Sequence, residues 1–248
     1  DRFYHLEKRL IELGVRREEA GSLVAPRPEI ANGPLQDDGS LTLEIYPSLR
    51  SPYTSFIFDK AVELARETGV RLVVRPVLPM VMRGVPATRE KGRYIFSDAA
   101  REARDLGLDW GDVYDPIGEP VRRCYSLYPW AREQGRDIEL LSAFLDAAFS
   151  HRVNTNTTKG MRHVVERAGL SWEAAHAVID NDDWQAEIEA NRLAMYSFGC
   201  WGVPSFRLLD TNGEAVLALW GQDRLWLIAR EIQRLLAAPD AADPAPGR

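Results

Sequence analysis

The chain has 248 residues, of which 45% are hydrophobic and 27% charged, and its formal net charge is −6. This composition is typical of a globular protein with one large domain or two small ones. The acidic balance excludes a basic face for nucleic acid, and no apolar run reaches the roughly 20 residues that cross a membrane. The two cysteines are far apart and form no Cys-x-x-Cys pair, which fits a reducing compartment and predicts a cytoplasmic protein.

The first 40 residues divide into a helix and a linker. Phe3, Leu6, Leu10 and Leu13 fall on one face of a helical wheel, which predicts an amphipathic helix over residues 1–14. Residues 15–40 are rich in proline, glycine and aspartate, and this composition predicts a linker.

A strand–helix–strand unit follows the linker. Residues 41–45 alternate and predict a strand, 52–68 predict a helix that ends before Gly69, and the β-branched residues 70–76 predict a second strand. Two strands joined by a helix in this way pair in parallel.

Residues 89–196 show helical periodicity that no strand pattern interrupts. Helices are predicted at residues 94–106, 121–134, 138–149, 161–168 and 184–197, and one more is predicted to begin directly after Ser171. An all-helical block is therefore expected in the middle of the chain.

The strand pattern then returns. Residues 204–209 and 215–220 predict two strands joined by a hairpin turn at Asn212-Gly213, and residues 223–236 predict a final helix. The tail at 237–248 is rich in Ala, Pro and Asp and is predicted to be disordered.

This order of elements is βαβ, a helical block, then ββα. It predicts one α/β domain, formed by residues 41–88 and 197–236, into which the helical residues 89–196 are inserted.

Ser51 stands where the first strand ends and the first helix begins. Serine is a favoured helix N-cap and Pro52 suits the first helical position. A helix N-terminus also offers free N–H groups and partial positive charge, which suit an anion or a thiolate. Taken alone, Ser51 is either a cap or part of such a site.

Two motifs resemble the thioredoxin fold of the DsbA family. Ser51-Pro52-Tyr53-Thr54 stands where that family has Cys-x-x-Cys, and Gly202-Val203-Pro204-Ser205-Phe206 looks like its Gly-Val-Pro-Thr-Phe. The family has a cis-proline at the position of Pro204. The serine in place of cysteine is similar to the branch that holds kappa-class glutathione transferases and 2-hydroxychromene-2-carboxylate isomerases.

Further residues fit that branch. They are Arg75-Pro76 at the end of the second strand, Lys91-Gly92-Arg93-Tyr94 at the start of the inserted block, and Gly221-Gln222-Asp223-Arg224 before the last helix. One motif departs from it, because residues 83–86 lack the asparagine that the branch usually carries there.

The resemblance implies a glutathione-dependent isomerase or transferase acting on a small-molecule substrate. Ser51 would be the catalytic residue and would donate a hydrogen bond to the thiolate. Val203 and Pro204 would bind the backbone of glutathione, Asp223 its ammonium group and Lys91 a carboxylate. Kappa-class relatives are dimers, so a homodimer is possible on the same ground, and no metal is implied.

A second hypothesis is a non-catalytic thioredoxin-like module of a tandem protein. Asp1-Arg2-Phe3-Tyr4-His5-Leu6 parallels Asp223-Arg224-Leu225-Trp226-Leu227-Ile228, so residues 1–14 look like the last helix of a preceding, similar domain. The alternative is an unrelated amphipathic helix. A disulfide oxidoreductase is excluded, because no thiol stands at the helix start.

Other candidate residues have a structural interpretation. The aromatic residues between Trp110 and Trp130 are expected to form core among the inserted helices, with a substrate-pocket wall as the alternative. Arg50 is expected to be solvated, and each of the four histidines to be structural or exposed, since none has a convincing metal spacing.

Overall fold

The computed structural model describes residues 2–15, 23–108, 110 and 113–237. The elements in chain order are α1 (Arg2–Glu12), β1 (Thr42–Tyr46), α2 (Pro52–Thr68), β2 (Arg71–Val74), α3 (Arg89–Asp105), α4 (Glu119–Glu133), α5 (Asp137–Phe149), α6 (Thr158–Arg167), α7 (Trp172–Val178), α8 (Gln185–Ser197), β3 (Ser205–Leu209), β4 (Ala215–Trp220) and α9 (Leu225–Ala237). The predicted disordered tail lies outside the described residues from 238 onward, as does part of the predicted linker. No helix in the described part of the chain is long and apolar enough to cross a bilayer.

The four strands form one mixed sheet in the order β2-β1-β3-β4. β1 and β2 are parallel, as expected for strands joined by a helix, while β1–β3 and β3–β4 are antiparallel. The predicted α/β arrangement, with a parallel pair, a hairpin and an inserted helical block, is confirmed.

The apolar face of β1 forms the centre of the core. Leu43 and Ile45 are completely buried and pack in one cluster with Phe206 and Leu208 of β3. α2 and α9 pack against one another and contribute to the same cluster. The end of β1, and with it Ser51, is therefore fixed by a well-packed sheet.

The other face of β1 carries a buried carboxylate. Glu44 accepts hydrogen bonds from Arg75 Nε at 2.6 Å, Arg207 Nε at 2.5 Å and the Tyr46 hydroxyl at 2.9 Å. Burial alone would raise the pKa of Glu44, but the hydrogen bonds from Arg207, Arg75 and Tyr46 outweigh it and lower the pKa below 4.5. This polar network joins β1 and β3 to Arg75, the residue that follows β2, and it was not predicted.

The inserted helices dock on the end of β2. The hydroxyls of Tyr125 and Tyr128 donate to the carbonyls of Val77 and Val74, at 2.9 and 3.2 Å. Both rings are buried, as the core interpretation of this aromatic stretch predicts. A tyrosine side chain combines a large apolar ring with one hydrogen-bond donor. The two rings are therefore buried between α4 and the sheet, and their hydroxyls fix the position of α4 along it.

α3 begins at Arg89, several residues before the predicted start at 94. The side chain of Thr88 accepts a hydrogen bond from the Lys91 N–H at 3.2 Å, so a threonine N-cap sets the boundary. The apolar periodicity appears only further along the helix, which is why it did not reveal this turn.

α1 lies on α3 through its polar side. The Tyr4 hydroxyl donates to Asp105 at 2.9 Å, Lys8 pairs with the same carboxylate, and His5 contacts Glu102. The helix was predicted correctly, but its contacts with the rest of the chain are polar rather than apolar.

Candidate active site

A cavity of about 490 Å³ opens where β1 ends, between the loop before β3, the start of α9, and helices α1 and α3. Ser51, Lys91, Val203 and Asp223 all line it, and Pro204 follows Val203 directly. Residues that are far apart in sequence and were selected by motif are thus brought together around one space.

Ser51 is the N-cap of α2. Its backbone is extended, with φ −101° and ψ 113°, and its Oγ accepts a hydrogen bond from the Thr54 N–H at 3.1 Å. A hydroxyl that accepts in this way keeps its proton for donation to another group. Since Ser51 faces the cavity at the positive end of α2, it can serve as a cap and a donor together.

The peptide bond between Val203 and Pro204 is cis. The Pro204 carbonyl accepts from the Gly221 N–H at 3.0 Å, which ties this loop to the start of α9. Among the described residues, neither the N–H nor the carbonyl of Val203 has a hydrogen-bond partner. The Val203 backbone therefore offers one donor and one acceptor at the cavity.

Gly221 sets the position of the Asp223 carboxylate. Its φ of +123° favours glycine, and an added Cβ would lie 2.7 Å from Asp223 Oδ1. Asp223 itself lies in a short 3-10 helix, Gln222–Arg224, that precedes α9. The Gly-x-Asp-Arg motif thus has a physical basis: only glycine leaves room for the carboxylate at this turn.

An aromatic wall stands beside these residues and was not predicted. The rings of Trp201 and Trp220 are 4.8 Å apart, and Lys91 Nζ lies 5.5 Å from the Trp201 ring centroid. Gly202 packs directly under Trp220, because a Cβ at Gly202 would lie 2.2 Å from the indole. The small residue in the Gly202-Val203-Pro204 motif is the one sequence signal for this contact.

The hydroxyl of Tyr53, in the Ser51-Pro52-Tyr53-Thr54 motif, does not act as an acid or a base. It donates to Asp98 Oδ2 at 2.6 Å. Burial first, and then this hydrogen bond, raise the pKa of Tyr53 well above its ordinary value, so the phenol stays protonated at neutral pH. Tyr53 thus acts as a neutral donor that connects α2 to α3.

Arg50 lies at the cavity rather than in open solvent, contrary to expectation. Its Nε and Nη2 each lie 2.6 Å from a different oxygen of Asp115, in a bidentate pair. This pairing raises the pKa of Arg50, and it directs the guanidinium toward the inserted block. The signal was undetectable in sequence because Asp115 is distant along the chain.

The far wall of the cavity is built by α3 and α1 together. His5 of α1 lines the cavity, contacts Glu102, and lies 3.2 Å from Arg27 Nη2. The His5 and Glu102 side chains are 9% and 4% exposed. The histidine is structural, as predicted, yet it also borders the site, which only the docking of α1 reveals.

The remaining candidates lie elsewhere. Trp110 stacks on Phe149 and contacts Phe56, so it packs on the core as predicted. Tyr114 is 47% exposed, contrary to the core prediction, and neither residue lines the cavity. Cys124 is buried, which raises the pKa of its thiol, while Cys200 is half-buried. Within the described residues, no group of three His, Cys, Asp or Glu side chains is placed to hold a metal ion.

Three known proteins are similar to this chain in sequence or in fold. The 2-hydroxychromene-2-carboxylate isomerase of Sphingobium xenophagum is 25% identical over 198 residues, covering 74% of this chain and 94% of the relative. A probable DsbA oxidoreductase from Streptomyces coelicolor has a TM-score of 0.59 at 21% identity, with 82% of this chain and 93% of that chain covered. A 2-hydroxychromene-2-carboxylate isomerase structure has a TM-score of 0.61 at 17% identity, with 78% and 95% covered.

The structural likenesses have low sequence identity and establish the thioredoxin-like fold. The family profile described as the DSBA-like thioredoxin domain matches residues 42–233, which is most of the chain and includes the strands, the inserted helices and nearly all of α9. The chain therefore belongs to the DSBA-like thioredoxin domain family.

Proposed function

We propose that the protein is a glutathione-dependent isomerase or transferase in which Ser51 stabilises the glutathione thiolate. The observation that carries this proposal is the convergence, on one cavity, of a helix-capping hydroxyl, an unpaired backbone segment and a carboxylate. The isomerase from Sphingobium xenophagum, at 25% identity, supports the same class of reaction.

Ser51 and the start of α2 act on the sulfur. A hydrogen bond from the hydroxyl and the positive end of the helix both favour the charged form of a thiol. Lowering a thiol pKa from about 8.5 toward about 7 raises the thiolate fraction at neutral pH by several-fold or more. The site thus supplies a nucleophile without a cysteine of its own.

The rest of glutathione is bound by groups that surround the sulfur. The free N–H and carbonyl of Val203 pair with the tripeptide backbone as an added strand would. Asp223 binds the ammonium of the γ-glutamyl group, and Lys91 binds a carboxylate. A cavity of about 490 Å³ lies within the range that small-molecule sites occupy.

The thiolate then adds to an electron-poor carbon of the second substrate. In an isomerase, the electron pair of the attacked double bond moves to the conjugated carbonyl, the new single bond rotates, and the pair returns as the thiolate leaves. In a transferase, the carbon–sulfur bond is kept, and the displaced electron pair either takes up a proton from water or departs with a leaving group. Both reactions need the same activated sulfur, and the aromatic wall of Trp201 and Trp220 receives the apolar part of the substrate.

A titration with glutathione tests the proposal, with Trp201 and Trp220 as fluorescent reporters in the cavity wall. We expect saturable binding at or below millimolar concentration, for glutathione and S-methylglutathione alike. Absence of binding at that concentration would refute the enzyme and leave the non-catalytic module as the function.

Ser51→Ala tests the role of the hydroxyl. We expect the ultraviolet absorbance of the bound thiolate to appear at higher pH in this variant, because a donor to the charged sulfur is lost. Ser171→Ala is the matched control, since Ser171 caps α7 by accepting from the Ala174 N–H at 3.3 Å and does not line the cavity. An unchanged thiolate pKa in Ser51→Ala would remove Ser51 from the mechanism.

A further inference from the structure

The apolar side of α1 faces outward. Phe3, Leu6 and Leu13 are 76%, 55% and 57% exposed, although they belong to one helical face with the half-buried Leu10. We call these four residues the α1 stripe. An amphipathic helix ordinarily buries such a face, and a contiguous exposed apolar surface marks a contact with something else.

The polar side of α1 is instead the buried one. Glu7 is 7% exposed and accepts hydrogen bonds from the N–H groups of Val24 and Ala25, at 2.8 and 2.9 Å. Together with the contacts of Tyr4, His5 and Lys8 on α3, this fixes the orientation of the helix. Phe3 and Leu13 therefore face away from the rest of the described chain, while Leu6 is exposed at the edge of a groove between α1 and α3.

The final helix α9 carries the same stripe at the same spacing. Aligning Arg2 with Arg224 places Phe3, Leu6, Leu10 and Leu13 on Leu225, Ile228, Ile232 and Leu235. In α9, the residues Leu225, Ile228 and Ile232 are completely buried in the core cluster that contains α2 and the sheet. The same spacing of apolar residues thus occurs twice. In α9 these residues are buried against α2 and the sheet, and in α1 they are largely exposed.

We infer that α1 is the closing helix of a second thioredoxin-like domain, whose sheet and first helix cover the α1 stripe. In α9 the domain that covers the stripe precedes the helix in the chain, so the inferred partner lies on the N-terminal side of α1. In the inferred domain, α1 would contact a sheet and a first helix in the way that α9 contacts the sheet and α2 in this molecule.

One position does not match, and it has its own explanation. Glu7 aligns with Ala229, which is completely buried in α9. Glu7 turns toward the segment that follows α1 and binds its backbone, so this residue serves the contact with the present domain. Since His5 and Arg2 line the cavity, the inferred domain would adjoin the candidate active site.

A helix exchange within the full chain tests the kind of partner. Residues 225–235 are replaced by the sequence of residues 3–13, with Ala229 retained because its position is buried. We expect a single cooperative thermal transition and a native near-ultraviolet circular dichroism spectrum. The matched control has the same replacement residues in an order that breaks the stripe, and we expect it to lose both signals. An exchange variant no better folded than that control would overturn the inference.

The intact chain provides the second measurement. We expect a monomer by light scattering that enhances anilinonaphthalene sulfonate fluorescence, and a several-fold smaller enhancement in the Phe3→Ser, Leu6→Gln double variant. Leu193→Gln is the control, because Leu193 on α8 is 55% exposed and outside the stripe. If the chain is a dimer and the double substitution dissociates it, the stripe contacts a second copy and the inference is refuted. If the double substitution leaves dye binding unchanged, the stripe is not exposed and the inference is refuted as well.

Discussion

The candidate active site has two walls of different construction. The sheet-side wall consists of Ser51, Val203 and Asp223, which stand at the end of β1, before β3 and before α9. The α3-side wall consists of Lys91 and Asp98 on α3, with His5 from α1. The first wall offers a helix start, free backbone groups and a carboxylate fixed by a glycine turn. The second offers side chains from helix faces.

This difference separates what the fold supplies from what the insertion supplies. Groups on the sheet-side wall depend on the geometry of the strands, so changing them should affect both stability and ligand binding. On the α3-side wall, Lys91 projects from a helix that forms without it, so changing Lys91 should affect binding alone. Asp98 and His5 also hold α2 and α1 on α3, so changing either of them should lower stability as well. The following substitutions are arranged from the largest expected effect to the smallest.

Glu44→Gln removes the charge that binds Arg75 and Arg207 beneath the sheet-side wall. We expect a loss of about 3 kcal/mol at pH 7, because the Arg207 side chain, which is 20% exposed, is left without its charged partner, whereas Arg75 is exposed enough to be hydrated. The folded pKa of Glu44 is lowered, so the stabilisation is present above pH 4.5 and is lost as the pH falls through the lowered pKa. Urea unfolding at pH 7 and at a pH below the lowered pKa measures this effect. The free energies of unfolding of the variant and the native protein should differ at pH 7 and become equal in acid.

Glu63→Gln is the control for this measurement. Glu63 is 55% exposed and 3.8 Å from Arg66, so its removal should change the free energy of unfolding by less than about 0.5 kcal/mol. If both variants were equally stable at neutral pH, the sheet-side wall would not depend on the buried network.

Gly221→Ala introduces a Cβ into the space of the Asp223 carboxylate. We expect a loss of about 1–3 kcal/mol of stability from the strained backbone and the collision. Glutathione affinity should fall about tenfold, which corresponds to 1.4 kcal/mol, because the carboxylate is displaced. Calorimetric titration and thermal unfolding measure the two effects separately.

Gly213→Ala separates backbone strain from displacement of the carboxylate. Gly213 has φ +80° in the β3–β4 turn, with no atom near an added Cβ. It should lose stability with unchanged glutathione affinity. Weaker binding in this variant would mean that global destabilisation, and not Asp223, explains the result at Gly221.

Ser51→Ala and Ser171→Ala remove equivalent caps from α2 and α7. Each should cost about 1 kcal/mol, or about 2–4 °C in melting temperature, since each loses one hydrogen bond to an N–H of the first turn. Scanning calorimetry measures both. A much larger loss for Ser51 than for Ser171 would show that Ser51 supports the structure beyond its cap.

Lys91→Ala should give the smallest effect and leave stability unchanged. Losing a cation over Trp201 and one ligand contact costs about 0.5–1 kcal/mol, so glutathione binding should weaken a few-fold. The loss should shrink at high salt, because screening already weakens exposed charge interactions. Lys159→Ala, an exposed lysine on α6, is the control, and equal affinities for the two variants would exclude Lys91 from the site.

Local signals made some elements predictable from sequence and left others hidden. The bounds of α2 coincide with the prediction, because Ser51-Pro52 starts the helix and Gly69 ends it in a left-handed conformation. The start of α3 was missed, since the Thr88 cap precedes its apolar periodicity. Local patterns therefore predict an element best when both of its ends carry a capping residue.

The site residues divide in the same way. Ser51, Val203 and Asp223 belong to short motifs, so resemblance found them. Glu44 and the Trp201–Trp220 pair depend on partners from other strands and loops, which no local pattern reveals. The contribution of His5 to the cavity followed only from the way α1 docks.

The two cysteines are buried to different extents, so the number of reactive thiols reports whether the chain is folded. Cys124 is enclosed among the inserted helices and its thiol pKa is raised, whereas Cys200 is half-buried next to Trp201. An alkylating reagent should therefore modify one thiol in the native protein and two after unfolding. Mass spectrometry of the labelled chain would count unfolded molecules directly, and a fluorophore attached at Cys200 would report from the loop that borders the cavity.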